Sequence, residues 1–122
     1  MRNFRDFTVW KKSMILAREI YSAVKLLPKE EQYGLSDQIR RAAISIPSNI
    51  AEGAGRIALK ERMHFYDIAY GSLTETLCQL EISRDLDYIN DEQFSSLELT
   101  ASRISMTLIA LKKSIQDKIN NN

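Results

Sequence analysis

The sequence predicts an all-α protein, an up-down-up-down antiparallel four-helix bundle, and three observations carry that expectation. Apolar residues recur at spacings of three and four along most of the chain, the polar stretches between those runs are short, and no segment alternates with the period of two that a strand requires. The 122 residues, 44% hydrophobic and 27% charged, suit one soluble domain over 1–122 that buries roughly two thirds of its unfolded surface.

Helix one is expected over about 8–27. Trp10, Ser13, Ala17, Ile20, Val24 and Leu27 share one helical face, with Phe4 and Phe7 as apolar anchors before it. Thr8 stands in the N-cap place, and Pro28 closes the helix because the residue before a proline is driven out of the helical region. Residues 29–34 are polar and too few for anything but a turn to an antiparallel neighbour.

Helix two is expected over 36–54, with Ser36 as its cap and Asp37 at the positive end of its dipole. Its apolar face is Ile39, Ala42 or Ala43, Ile46, Ile50 and Ala54. Pro47 has no N–H for the carbonyl of Ala43 and its ring crowds that group, so a kink is predicted between about Ala43 and Pro47. Ser45, Ser48 and Asn49 offer side-chain hydrogen bonds to groups the kink releases. Gly53 and Gly55 permit the positive φ that ends helices. The string Gly53-Ala54-Gly55-Arg56-Ile57-Ala58 matches a dinucleotide fingerprint, but that motif demands a preceding strand, and the residues before it have helical period.

Helix three, over 58–86, carries a heptad of Leu59, Met63, Tyr66, Tyr70, Leu73, Leu77 and Leu80. Helix four, over 91–119, answers with Phe94, Leu97, Ala101, Ile104, Leu108, Leu111 and Ile115. A repeat of seven predicts near-parallel crossing with coiled-coil-like packing between helices of similar length. Asp87-Tyr88-Ile89 makes the turn, and Asn90 with Gln93 reads as a capping box. A second apolar set, Met14, Tyr21, Phe65, Ile68, Leu99, Met106 and Ile109, exceeds one stripe per helix and means a broader core face or a subunit interface, of which self-association is the favoured reading.

Net charge is only +1, yet residues 1–62 hold 12 Lys+Arg against 7 Asp+Glu, and residues 63–122 hold 5 against 9. Such segregation either offers a basic face to an anionic partner or lets the two halves attract each other across the bundle. Arg56, Lys60 and Arg62, at an exposed helix junction, are the candidate phosphate contacts. Arg40 and Arg41 admit two readings: beside Asn49, Glu52 and Glu75 they complete a polar network that fixes helix two, or with Arg56, Lys60 and Arg62 they form a basic stretch for phosphate.

No catalytic or metal-ligating constellation emerges. Cys78 and His64 are the single cysteine and the single histidine, which leaves no intrachain disulfide and no Cys/His zinc site. Di-metal carboxylate bundles need a Glu-x-x-His pair on each of two helices. His64, Asp67, Ser72 and Glu75 are residue types a hydrolase uses, but His64 and Asp67 lie one turn apart on a helix surface with nothing to orient them. Cys78 reads as a small interface residue with no histidine to lower its pKa. Trp10, Tyr66 and Tyr70 sit on core faces rather than in the open, where bases could stack on them. No run of about 18 apolar residues and no apolar leader is present, so a cytoplasmic, non-enzymatic protein without cofactor or membrane contact is expected.

Phe4-Arg5-Asp6-Phe7-Thr8-Val9-Trp10, Tyr33-Gly34-Leu35-Ser36-Asp37-Gln38-Ile39-Arg40-Arg41-Ala42-Ala43, Ser45-Ile46-Pro47-Ser48-Asn49-Ile50-Ala51-Glu52-Gly53 and Ala69-Tyr70-Gly71-Ser72-Leu73 together resemble the four-helix-bundle proteins encoded in 23S rRNA intervening sequences. The likeness covers nearly the whole chain, and its helix-two signature is the specific part. That resemblance implies a protein of no established activity that assembles as a pentameric ring. Through a distant relative, the accessory variability protein of diversity-generating retroelements, it also implies an RNA or DNA partner. Asp87 departs from the pattern, standing where the family has a helix-ending glycine. The alternative reading is a structural or protein-interaction ring with no nucleic-acid role.

Overall fold

Four α-helices dominate residues 3–121, which the computed structural model describes: α1, Thr8–Ala23; α2, Leu35–Ala54; α3, Leu59–Asp85; and α4, Asp91–Asn120. Each helix packs on its chain neighbours, and α4 returns to α1, so the four enclose one core. There is no strand among the described residues. The lengths of 16, 20, 27 and 30 residues are unequal, contrary to the expectation of similar helices. The longer α4 runs on past the start of α1.

α1 buries Val9, Ser13, Leu16 and Ile20, and a 3-10 turn over Val24–Leu26 carries the stripe on to Leu27. Trp10 and Ala17, placed on this face by spacing, flank it half-buried. Leu27 is extended at ψ 148°, as its proline neighbour requires. Thr8 is the first helical residue rather than the cap. Phe7 takes the cap position, and its side chain can accept no hydrogen bond.

α2 also starts one residue early. Ser36 lies inside it, buried, while Glu31 supplies the capping acceptor: its Oε1 takes the Leu35 N–H at 3.3 Å. The same carboxylate accepts the Tyr88 hydroxyl at 2.9 Å through Oε2, tying the first loop to the last. All five predicted face positions of α2 are buried, and the helix runs unbroken through buried Pro47. Asn49 donates to the Ser45 carbonyl at 2.8 Å and to the Ser45 hydroxyl at 2.9 Å, and that hydroxyl meets Ser72 Oγ on α3 at 2.8 Å. Neither Gly53 nor Gly55 has positive φ. Gly53 is needed for closeness instead: a Cβ there would stand 2.6 Å from Tyr66 Cε1 and 3.2 Å from Phe65 Cβ.

On α3 the buried residues are Tyr66, Ala69, Leu73, Thr76, Leu80 and Ser83, with Gln79 beside them. They share Tyr66, Leu73 and Leu80 with the predicted heptad, but Ala69 and Thr76 replace Tyr70 and Leu77, which are half-buried at its edge. Thr76 and Ser83 satisfy their hydroxyls on the carbonyls of Ser72 and Gln79, one turn back, at 2.8 and 2.9 Å. Small side chains therefore form the seam with α2. α4 buries Phe94, Leu97, Ala101, Ile104, Leu108 and Ile115 as predicted, with Leu111 at the margin.

The α3–α4 turn is a Schellman motif built on Asp87. Its φ is 61°, the Tyr88 N–H reaches the Ser83 carbonyl at 2.9 Å, and the Asp87 N–H reaches that of Arg84 at 3.0 Å. Aspartate tolerates this left-handed conformation better than most residues, so the turn keeps its geometry without glycine. The capping box is present too, with Gln93 N to Asn90 Oδ1 at 2.7 Å and Asn90 N to Gln93 Oε1 at 2.8 Å.

Candidate nucleic-acid interface

Charge is distributed along the bundle axis, which sequence order conceals. The up-down topology brings the start of α1, the α2–α3 junction and the end of α4 to one end. The α1–α2 loop and the α3–α4 turn occupy the other. Residues 107–121 hold Lys112, Lys113 and Lys118 against Asp117, whereas residues 68–106 hold two Lys/Arg against seven Asp/Glu. One end is basic and the other acidic.

No ion pair among the described residues joins residues 3–62 to residues 63–121. Three of the four pairs lie within single helices or at their ends: Arg41–Asp37 at 2.9 Å, Arg56–Glu52 at 3.1 Å and Arg84–Glu81 at 2.7 Å. The fourth, Lys112–Asp67 at 2.8 Å, joins α4 to α3. Attraction between the sequence halves across the bundle thus has no such contact behind it.

The three candidate phosphate contacts fare differently. Arg56 is paired with Glu52 and lies 4.9 Å over the Phe65 ring. Lys60 is exposed without an ion pair. Arg62 folds back so that its Nε donates to the Arg56 carbonyl at 2.6 Å, leaving the rest of its guanidinium beside the start of α1. Lys12 and Lys118 join Arg62 there, although no local motif in the sequence singles them out. Counting charge by bundle end instead of by sequence half would have found them.

The polar network assigned to Arg40, Arg41, Asn49 and Glu52 does not form. Arg41 pairs with Asp37 on the surface, Arg40 reaches the Gln32 carbonyl at 3.4 Å, Asn49 bonds Ser45, and Glu52 holds Arg56. The separation along α2 explains it, since twelve residues from Arg40 to Glu52 span roughly 18 Å.

Nor do the hydrolase-type residues converge. His64 meets the Phe65 ring edge-on at 5.4 Å, Asp67 is paired with Lys112, and Ser72 is bonded to Ser45. Cys78 is exposed, and no three His, Cys, Asp or Glu side chains among the described residues are grouped to hold a metal ion. Tyr66 is 1% exposed, Trp10 packs edge-on against Phe4 at 5.2 Å, and Tyr70 lies under the Lys112 ammonium at 4.9 Å. A cleft of about 580 Å³ opens at the acidic end between α1 and α4, with Glu19 and Glu92 in its walls, a lining unfavourable to anions.

Apolar surface is also uneven. Leu99, Met106 and Ile109 are 53%, 72% and 50% exposed on the side of α4 away from the core, and Tyr21 and Ile68 are exposed on α1 and α3. Met14 and Phe65, from the same predicted set, are half-buried.

Comparison with known proteins agrees with this architecture. The sequence model of the 23S rRNA-intervening sequence proteins matches residues 5–110. The chain belongs to that family. A solved member of the S23 ribosomal protein family from Bacteroides thetaiotaomicron, itself of unknown function, superposes with a TM-score of 0.81 at 29% identity, covering 87% of this chain and 99% of that one. No curated protein matches. Among the described residues of this intervening-sequence protein, no helix is long and apolar enough to cross a membrane.

Proposed function

We propose that this protein is a non-enzymatic, homo-oligomeric RNA-binding accessory factor of the cytoplasm. Copies assemble as a closed ring, taken as a pentamer from the family resemblance, and present their basic ends to the phosphates of a nucleic acid strand. The observation that carries this reading is the set of unpaired cations at one end: Lys11, Lys12, Lys60, Arg62, Lys113 and Lys118 take part in no ion pair among the described residues. Solvated cations are available to phosphate at little cost to the fold. Exposed Leu99, Met106 and Ile109 support self-association, because a helix face of that apolarity is covered in most soluble assemblies.

Titrating the protein with labelled single-stranded RNA at low and moderate salt tests the reading. Affinity should fall with salt at a slope of about −0.7 per neutralised phosphate in the logarithmic plot, with little sequence preference. Absence of binding at low salt would favour the interaction ring without a nucleic-acid role, which the same apolar α4 face supports.

A further inference from the structure

The first turn of α1 opens onto a cleft of about 360 Å³ walled by three helices, with Thr8 from α1, Arg62 from α3, and Thr107, Ser114 and Lys118 from α4. Helix stagger creates it. Lys12 Nζ donates to Thr107 Oγ1 at 3.1 Å, so in this antiparallel pair Thr8 stands level with about residue 111. α4 then continues past it for roughly 13 Å.

Among the described residues the lining has no acidic side chain, and the carboxylates nearest along the chain, Asp6, Glu61 and Asp117, are exposed. Arg62 of α3 and Lys118 of α4 both line the cleft, and Lys12, outside the lining, is hydrogen-bonded to its Thr107. None of the three is in an ion pair among the described residues. Cations brought together without a counter-charge repel one another, and an anion between them removes that cost. The backbone adds to this field. Phe7 offers no side-chain cap, and it lines the cleft with Thr8 and Val9, so the positive end of α1 stands beside it. Thr8 and Ser114 contribute hydroxyl donors.

We propose that this cleft is a phosphate-binding site. Its cations and amides favour a doubly charged monophosphate, as inorganic phosphate or at the end of a strand, over a singly charged internal phosphodiester. The phosphate chemistry stands on the cleft alone. The strand as its source rests on the nucleic-acid reading proposed above.

The experiment follows backbone amide signals of Thr8, Val9 and Trp10 as inorganic phosphate replaces chloride at constant ionic strength. The expected result is saturable shifts confined to the cleft, with affinity weakened about tenfold by Arg62→Gln, the worth of one charge-assisted contact. Arg62 also ties the Arg56 carbonyl, so Lys118→Gln, at an exposed residue, is the second variant and should weaken phosphate comparably without altering the fold. Shifts that never saturate, or that ignore both substitutions, overturn the proposal. Short RNAs with and without a 5′-phosphate identify the source: a preference for the phosphorylated strand that is lost in both variants supports a terminal phosphate, and equal loss for both strands supports an internal one. Phosphate binding without RNA binding upholds the cleft and overturns the nucleic-acid reading. RNA binding unchanged in both variants, with no response to phosphate, overturns the cleft and leaves that reading to the other cations.

Discussion

At the scale of single residues, the consequential contacts are those that tie distant turns together. Tyr88 donates its hydroxyl to Glu31, and this hydrogen bond, then desolvation, then the charges of Glu31 and Glu30 raise its pKa above the ordinary tyrosine value. A raised folded pKa means that the contact's stability is fully present below the unfolded value of about 10 and is lost as pH rises through the folded one. Ultraviolet titration should therefore show a late-ionising contribution from Tyr88, which Tyr88→Phe removes and Glu31→Gln moves to lower pH. Two glycines give a matched test of packing. At Gly53 an added Cβ meets Tyr66 at 2.6 Å, and Tyr66 is 1% exposed, so Gly53→Ala should cost about 1–3 kcal/mol, outweighing a helix gain of about 0.5–1 kcal/mol. At Gly71, inside α3, a Cβ meets nothing within 4 Å, so Gly71→Ala should stabilise by that gain alone. Thermal melts of the two variants should move in opposite directions. Asp87 and the capping box were legible because turn chemistry is local; Glu31 as the α2 cap was not, since its partners Leu35 and Tyr88 meet it only through the fold.

At the scale of elements, apolar period located all four helices, and the capping box and Pro28 marked ends that the structure keeps. It erred by one residue where small side chains do the packing. The spacing of large residues on α3 favoured Tyr70 and Leu77, but the closest seam, where Ser45 and Ser72 touch and Gly53 meets Tyr66, admits only Ala69, Thr76 and Ser83 beside the large Tyr66, Leu73 and Leu80. Hydroxyls that bond their own helix are apolar in effect, and a hydrophobicity pattern does not register them. Leu73 is 1% exposed and Leu77 half-buried, so Leu73→Ala should cost about 2–5 kcal/mol and Leu77→Ala less than half as much in chemical denaturation. Equal losses would return the heptad assignment to favour.

At the scale of the whole molecule, the charge asymmetry was visible in sequence, but its axis was not, because summing over 1–62 and 63–122 mixes the two ends of every hairpin. Once the ends are separated, charge and apolar surface divide the labour of the proposed ring: the outward side of α4 joins copies, and the basic end meets the strand. Each chain of net charge +1 offers only a few phosphate contacts, and several held in one ring act at high effective concentration. Assembly and affinity should then fail together. The substitutions Leu99→Gln and Met106→Gln, at side chains 53% and 72% exposed, change no charge and lie outside the buried core. They should leave the melting temperature of the chain's own core nearly intact while light scattering falls toward one 14.0 kDa chain. RNA affinity should drop on the order of a hundredfold, and the salt slope should shrink toward that of one copy's contacts, because fewer phosphates are neutralised per bound particle. An RNA affinity and slope unchanged in a monomeric variant would mean that one basic end suffices and that the ring serves another purpose.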